Sequence, residues 1–150
     1  MPNPAPTSAP KSVLAIGALA KRAGVKIPTI RYYESIGLLP EAPRTGSNRR
    51  TYDEASVGRL RFIRHARELG FEVEAIRQLL TLADDPSRPC READLLARAH
   101  LAEIESRITR LEALRDEVRR MVEGCDQGEV RRCHVIEVLA DHAHCLHDRH

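Results

Sequence analysis

The sequence predicts a mainly α-helical protein in which short helices lead into one long helix. Arg91–Glu123 contains neither Pro nor Gly, and its apolar residues recur at spacings of three and four, the pattern of a helix that buries one stripe. Before it, Gly24, Gly37 and Gly70 each follow a segment of helical pattern. Because Gly commonly stands just past a helix end, these positions predict where the short helices stop.

Composition limits the architecture. A chain of 150 residues with no Trp and 3% aromatic residues has room for one domain of about 100 residues plus an appendage. No apolar run approaches the roughly 20 residues that span a bilayer, so we expect a cytoplasmic protein without a membrane partner. Residues 1–11 are rich in Pro and Ala and lack the features of a secretory signal, which predicts a disordered tail.

Charge is distributed unevenly along the chain. Met1 to Phe71 holds 12 Lys and Arg against 5 Asp and Glu, which gives +7, and Glu72 to His150 holds 12 against 17, which gives −5. This separation suggests that the first half meets a polyanion and the second half does not. No arrangement of acid, base and nucleophile stands out in either half, so we do not expect an enzyme.

Residues 12–84 are predicted to form one DNA-binding domain. A short helix from Ile16 ends at Gly24, and Pro28 suits the first turn of a second helix that runs to Ile36. Two short helices joined by a Gly-marked turn describe a helix-turn-helix. The side chains expected to project from its second helix are Thr29, Arg31 and Tyr33. Such residue types hydrogen-bond bases and phosphates, although a helical hairpin without DNA binding gives the same pattern.

The stretch Leu38–Tyr52 is rich in turn-forming residues and in Arg. Short extended pieces on either side of Gly46–Asn48 predict a β-hairpin wing. A wing directly after a helix-turn-helix would present its arginines to the DNA backbone, whereas the alternative is a solvated basic loop. The arginines concerned are Arg44, Arg49 and Arg50.

Two further helices are expected to pack against the helix-turn-helix and the wing. Thr51–Glu54 fits a capping box at the start of the first, and the second covers Val73–Leu82. The apolar face predicted for the first consists of Val57, Leu60, Ile63 and Leu69.

Residues 91–123 are predicted to be a dimerisation helix. The charged residues surround an apolar seam of coiled-coil type, which a helix about 50 Å long cannot bury alone. We therefore expect it to pair with a second copy of itself. The seam consists of Leu101, Ile104, Ile108, Leu111, Leu114, Val118 and Met121.

Residues 124–150 are predicted to form a metal-binding loop and a His-rich tail. Cys125 and Cys133 frame a loop of seven residues, across which two thiolates can reach one ion at about 2.3 Å. Thiolates select Zn, Cd, Pb, Hg or Cu(I), but a free or redox-active thiol pair fits the same spacing. The tail could supply further ligands or a second, weaker site, or could acquire metal adventitiously. Its candidates are His134, His142, His144, Cys145 and His147.

Several motifs together resemble the MerR family of transcriptional regulators. They are Ile16–Val25, Thr29–Glu34, Gly37–Leu39, the wing Arg44–Tyr52, and Leu69–Phe71. The resemblance implies a winged helix-turn-helix domain, a homodimer through an antiparallel coiled coil, and distortion of double-stranded promoter DNA that lets RNA polymerase engage. Arg49 stands where the family pattern usually has an aromatic residue. The DNA contacts we predict are Lys21, Arg22, Thr29, Arg31, Tyr32, Tyr33, Arg44, Asn48, Arg49, Arg50 and Tyr52.

The cysteine pattern resembles that of the metal-responsive branch of the family. It consists of Cys90 before the long helix and of Cys125 and Cys133 after it. Copper(I) sensors there usually have Ser at the first position, so the resemblance favours Zn, Cd, Pb or Hg. Since Cys90 and Cys125 are roughly 50 Å apart along the helix, an antiparallel dimer would join Cys90 of one protomer to Cys125 and Cys133 of the other. A Cu(I) sensor and a thiol-based redox regulator remain the alternatives. Drug-sensing relatives usually have a larger C-terminal domain.

Overall fold

The computed structural model describes residues 13–125 and 128–145, so the tail predicted at 1–11 lies outside the described residues. The chain divides into two compact units, Met1–Ala93 and Asp94–His150. Within the described residues the regular structure is helical, with isolated β-bridges and no strands. The α-helices are α1 Ile16–Ala23, α2 Ile27–Ser35, α3 Glu54–Glu68, α4 Val73–Ala83, α5 Arg91–Glu123 and α6 His134–Ala140.

Helices α1 and α2 form the predicted helix-turn-helix. Gly24 caps α1 with a φ of 67°, and its N–H donates to the carbonyl of Ala20. A side chain there would be strained and would meet the guanidinium of Arg64, whose Cζ lies 3.3 Å from the position of a Cβ. Pro28 lies in the first turn of α2 as predicted, where its missing N–H leaves no hydrogen bond unmade.

The wing is a tight antiparallel turn. Arg44 and Arg50 form one bridge, the N–H of Thr45 donates to the carbonyl of Arg49 at 2.8 Å, and Asn48 takes a φ of 61° at the tip. Asn tolerates this left-handed conformation better than most residues. The predicted hairpin is therefore present, but as a turn without extended strands in the described residues.

The start of α3 differs from the prediction. Asp53 is the N-cap and its carboxylate accepts from the N–H of Ser56 at 3.0 Å, so the capping box predicted at Thr51–Glu54 is wrong. The hydroxyl of Thr51 donates instead to the carbonyl of Pro43 at 3.1 Å. Leu69, predicted on the apolar face, is 55% exposed because the helix has ended and the chain turns away.

Packing and arginine side chains hold the first unit together. Guanidinium groups from α3 and α4 donate to backbone carbonyls in and after the helix-turn-helix: Arg59 to Leu38 at 2.9 Å, Arg61 to Arg22 at 3.0 Å, and Arg77 to Ile36 at 2.7 Å. The carbonyls of Arg22 and Ile36 stand at helix ends, which leave such groups without partners inside the helix. The buried core is formed by Leu19, Ala23, Ile30, Tyr33, Leu38, Leu39, Ala42, Tyr52, Val57, Leu60, Ile63, Ala66, Ile76 and Leu80.

Most of α5 belongs to the second unit, and the helix has the bounds predicted for the long helix. Most of its seam is exposed in the protomer, as for Leu101 at 54% and Leu111 at 62%. Val138 of α6 and Glu117 of α5 are buried. Within residues 13–125 and 128–145, no helix combines the length and the apolar character needed to cross a bilayer.

Candidate functional site

A basic groove lies between α2 and the wing. Its volume is about 740 Å³, and it is open to solvent. Two carboxylates, Glu34 and Glu41, also line it. The structure thus brings together five residues predicted as DNA contacts: Arg31, Arg44, Asn48, Arg49 and Arg50.

The other predicted DNA contacts have different surroundings. Lys21 is exposed and Thr29 is half-buried, and Tyr32 is 53% exposed. The guanidinium of Arg22 forms two contacts with the carboxylate of Glu54. Tyr33 was expected to project from α2, but it is 8% exposed and packs in the core.

Tyr52 and Arg50 are tied to a residue that the sequence argument gave no role. The carboxylate of Glu34 accepts from the Tyr52 hydroxyl at 2.6 Å and from Nη1 of Arg50 at 2.5 Å. Burial, and then the hydrogen bond with Glu34, raise the pKa of Tyr52 to about 12. The signal in the sequence was the acidic residue that ends the Thr29–Glu34 motif, within a strongly basic half.

In the second unit, Cys125 and Cys133 stand at the base of one loop. The ring of His134 lies against the bare backbone of Gly124, since a Cβ added to Gly124 would be 3.1 Å from both Cγ and Nε2 of that ring. Cys125 follows Gly124 and Cys133 precedes His134. The contact therefore closes the loop and places both half-buried cysteines beside the closure.

Cys145 lies next to a buried carboxylate on α5. Partial burial raises the pKa of its thiol, and Glu117, with which the thiol forms a hydrogen bond, raises it further. Glu117 is 2% exposed and also accepts from Nη2 of Arg120 at 2.6 Å. Because the thiolate is the metal-binding form, these surroundings make Cys145 a less ready ligand. Sequence reasoning missed Glu117, which is an ordinary charged position in the helical pattern.

The remaining predicted metal ligands are dispersed. Cys90 is exposed in the first unit, just before α5. His142 is exposed and opens a short 3₁₀ turn, His142–His144, and His147 lies outside the described residues. Within the part of the chain that the structure describes, no three His, Cys, Asp or Glu side chains are grouped so as to hold a metal ion.

Comparisons with known proteins agree with this architecture. The family model described as MerR HTH family regulatory protein matches residues 14–82, and the one described as MerR, DNA binding matches residues 57–121. The heavy metal-dependent transcription regulator 2 of Rhizobium meliloti (strain 1021) is 40% identical over 126 residues, which are 84% of this chain and 86% of the relative. The chain belongs to the MerR family. The regulator ZntR of Escherichia coli (strain K12) is 41% identical over 111 residues, 73% of this chain and 79% of its own.

Solved structures of MerR-family proteins have the same fold. PbrR691 from Ralstonia metallidurans CH34, in complex with lead(II), superposes with a TM-score of 0.76 at 40% identity and covers 84% of this chain and 98% of its own. MerR from Bacillus megaterium MB1, in complex with mercury(II), has a TM-score of 0.64 at 32% identity and covers 85% and 100%.

Family membership confirms the resemblance and the mainly helical fold class with a helix-turn-helix and a long helix, while the coiled-coil dimer and the metal-binding loop stay predictions. The protein is a DNA-binding transcription regulator of mainly helical fold with a helix-turn-helix head and a long helix. The prediction that it is not an enzyme agrees with its relatives, which are transcription regulators.

Proposed function

We propose that this MerR-family protein is a metal-responsive regulator that activates resistance or efflux genes in the cytoplasm. Its ligand would be a divalent soft or borderline ion, namely Zn, Cd, Pb or Hg. The observation that carries the proposal is the closure of the cysteine loop by the contact between Gly124 and His134. It is supported by relatives named as heavy metal-dependent regulators and by the solved lead(II) and mercury(II) complexes.

The donor chemistry fits such an ion. Cys125 and Cys133 offer two thiols at one loop base, and thiolates prefer soft and borderline metals over hard ones. A third thiolate, from Cys90 of the partner subunit, raises the ligand number above the two that suit Cu(I). When bound, the ion would supply a cross-link between these thiolates. His134, His142, His144, Cys145 and His147 remain proposed auxiliary ligands.

The third ligand requires a dimer, and the long helix offers the surface for it. The apolar seam of α5 is exposed over several turns, which a coiled coil with a second copy would cover. An antiparallel arrangement places the start of one α5 beside the end of the other. Each dimer would then hold two equivalent sites across its interface, and the occupied sites would favour one arrangement of the two protomers.

The two winged helix-turn-helix domains of the dimer would pass the change in protomer arrangement on to the promoter DNA. Basic side chains in the groove between α2 and the wing would supply affinity through phosphate contacts, and Arg31 with Thr29 would read base edges. A dimer with two such heads grips a pseudo-palindromic operator. A change in head spacing alters the twist and bend of the promoter, which allows RNA polymerase to engage.

In vitro transcription from the chain's own promoter tests the proposal, with a panel of Zn, Cd, Pb, Hg, Co, Ni and Cu(I). We expect activation by one or more of the first four ions, and about one ion per protomer by elemental analysis. Cys125→Ser and Cys133→Ser should abolish both, whereas Cys145→Ser should retain most of the response. Activation by Cu(I) alone, or by an oxidant acting on metal-free protein, would refute the proposal.

A further inference from the structure

Glu34 joins α2, the second or recognition helix of the helix-turn-helix, to the wing. It lies in the last turn of α2, and its side chain is 5% exposed although it borders an open, basic groove. Its two oxygens have different partners: Oε1 accepts from the Tyr52 hydroxyl, and Oε2 from Nη1 of Arg50. A buried carboxylate is costly unless both oxygens are satisfied, so the three side chains form one unit.

The two partners of Glu34 belong to the returning arm of the wing. Arg50 forms the bridge with Arg44 that closes the wing turn. Tyr52 is 4% exposed in the core, and its backbone exchanges hydrogen bonds with Leu14 at 2.7 and 2.9 Å. The wing is therefore coupled to α2 through Arg50 and Tyr52. Both side chains donate to the carboxylate of Glu34, and hydrogen bonds to a charged group are stronger than neutral ones.

Two sets of predicted DNA contacts lie next to the group formed by Glu34, Arg50 and Tyr52. Arg31 lies on the same helix as Glu34, three residues earlier, and lines the groove from the α2 side. Arg44, Asn48 and Arg49 line it from the wing side. The distance between the two sets decides whether α2 and the wing can meet their DNA contacts together.

We propose that Glu34 is a positioning residue that fixes the wing relative to the recognition helix and thereby sets the preference for operator over random DNA. It acts through Arg50 and Tyr52 and touches no base. One side of the Arg50 guanidinium is held by Glu34 while the side chain stays 32% exposed, so Glu34 also aims that charge into the groove. A negative charge in a DNA-binding groove has an electrostatic cost, which this positioning offsets.

The test compares the dissociation constants for two duplexes of equal length at one salt concentration. One carries the operator, defined by footprinting the wild-type protein on its own promoter, and the other a random sequence. Glu34→Gln should lower the preference for the operator on the order of tenfold, because the charge-assisted bond to Arg50 is lost. Tyr52→Phe should lower it by a smaller factor, since the ion pair remains.

Glu41→Gln is the matched control, because it removes an exposed acidic side chain from the same groove. It should tighten binding to both duplexes by a similar factor and leave their ratio unchanged. Partial unfolding of a variant lowers both affinities equally, so the ratio reports positioning and not stability. If Glu34→Gln does not fold, Tyr52→Phe supplies the ratio.

The proposal fails if Glu34→Gln changes both affinities equally, as expected for Glu41→Gln, or if Tyr52→Phe leaves the ratio at the wild-type value. The measurements are made without added metal, so they do not depend on the metal response.

Discussion

The two units bury their apolar side chains to very different extents. In Met1–Ala93, side chains from four helices and the wing form one continuous core, in which Leu19, Ile30 and Leu60 are fully buried. In Asp94–His150, the buried residues among those described are Val138 and the charged Glu117, while the seam of α5 faces solvent. The first unit buries its apolar side chains within one protomer, whereas the second exposes an apolar seam that the proposed dimer would cover.

Placing a charge in the seam should produce the largest effect. Ile108 is 49% exposed in the protomer, and Ile108→Glu would put an unpaired carboxylate from each subunit into the dimer interface. Since a buried unpaired charge costs about 3–5 kcal/mol, the dissociation constant should rise at least about 100-fold, as measured by analytical ultracentrifugation. Arg110→Glu, off the seam, should remain a dimer. An Ile108→Glu variant that stays dimeric would show that the seam is not the interface.

A cavity in the core of the first unit should have the next largest effect, on the free energy of unfolding. Leu60 is 0% exposed, and Leu60→Ala should lower the free energy of unfolding by about 2–5 kcal/mol. Urea unfolding can be followed by tyrosine fluorescence, because all three tyrosines lie in the first unit and the chain has no Trp. Leu139→Ala, at a position 70% exposed in the second unit, should change this transition by less than about 0.5 kcal/mol. Equal effects of the two variants would contradict the difference in burial between the two units.

Gly124→Ala tests the loop closure in the second unit. The new Cβ must displace the ring of His134, and this should separate Cys125 from Cys133. We expect metal affinity, measured by competition with a chromophoric chelator, to fall about tenfold, as for other changes near metal ligands. Gly58→Ala is the control, because a Cβ there meets open space. Unchanged affinity in Gly124→Ala would mean that the contact does not organise the loop.

The smallest effect concerns alkaline pH. The pKa of Tyr52 is raised to about 12 in the folded protein, above the ordinary value near 10. The protonated phenol therefore stabilises the first unit fully below about pH 10, and this contribution is lost as pH rises toward 12. The stability difference between the wild-type protein and Tyr52→Phe should shrink over that range, as measured by urea unfolding at several pH values. A constant difference would contradict the assignment.

Periodic and local features were predictable from the sequence. The bounds of α5, the glycine stop of α1 and the position of Pro28 rest on interactions within a few residues, which a single sequence displays. The capping box at Thr51–Glu54 was wrong by a small shift, since Asp53 and Thr51 are both good N-cap residues and only the fold directs Thr51 to Pro43.

Residues that act across long sequence distances were missed. Glu34 and Tyr52 are 18 positions apart, and Glu117 meets Cys145 from the far side of the loop. No helical or strand period links such pairs, so the sequence did not show which partners these two carboxylates meet. The sequence marks the loop by a cysteine at each end, and its metal binding stays a prediction, but the contact of Gly124 with His134 required the structure.

The arginine side chains that form hydrogen bonds inside the first unit also affect how the protein searches DNA. Arg59, Arg61 and Arg64 donate to backbone carbonyls, and Arg22 is paired with Glu54. Four of the 12 Lys and Arg between Met1 and Phe71 are therefore held by partners inside the fold. Fewer free cations release fewer counterions from random DNA and hold it less tightly. We therefore expect shorter non-specific encounters, which would leave a larger share of the regulator free to reach its promoter.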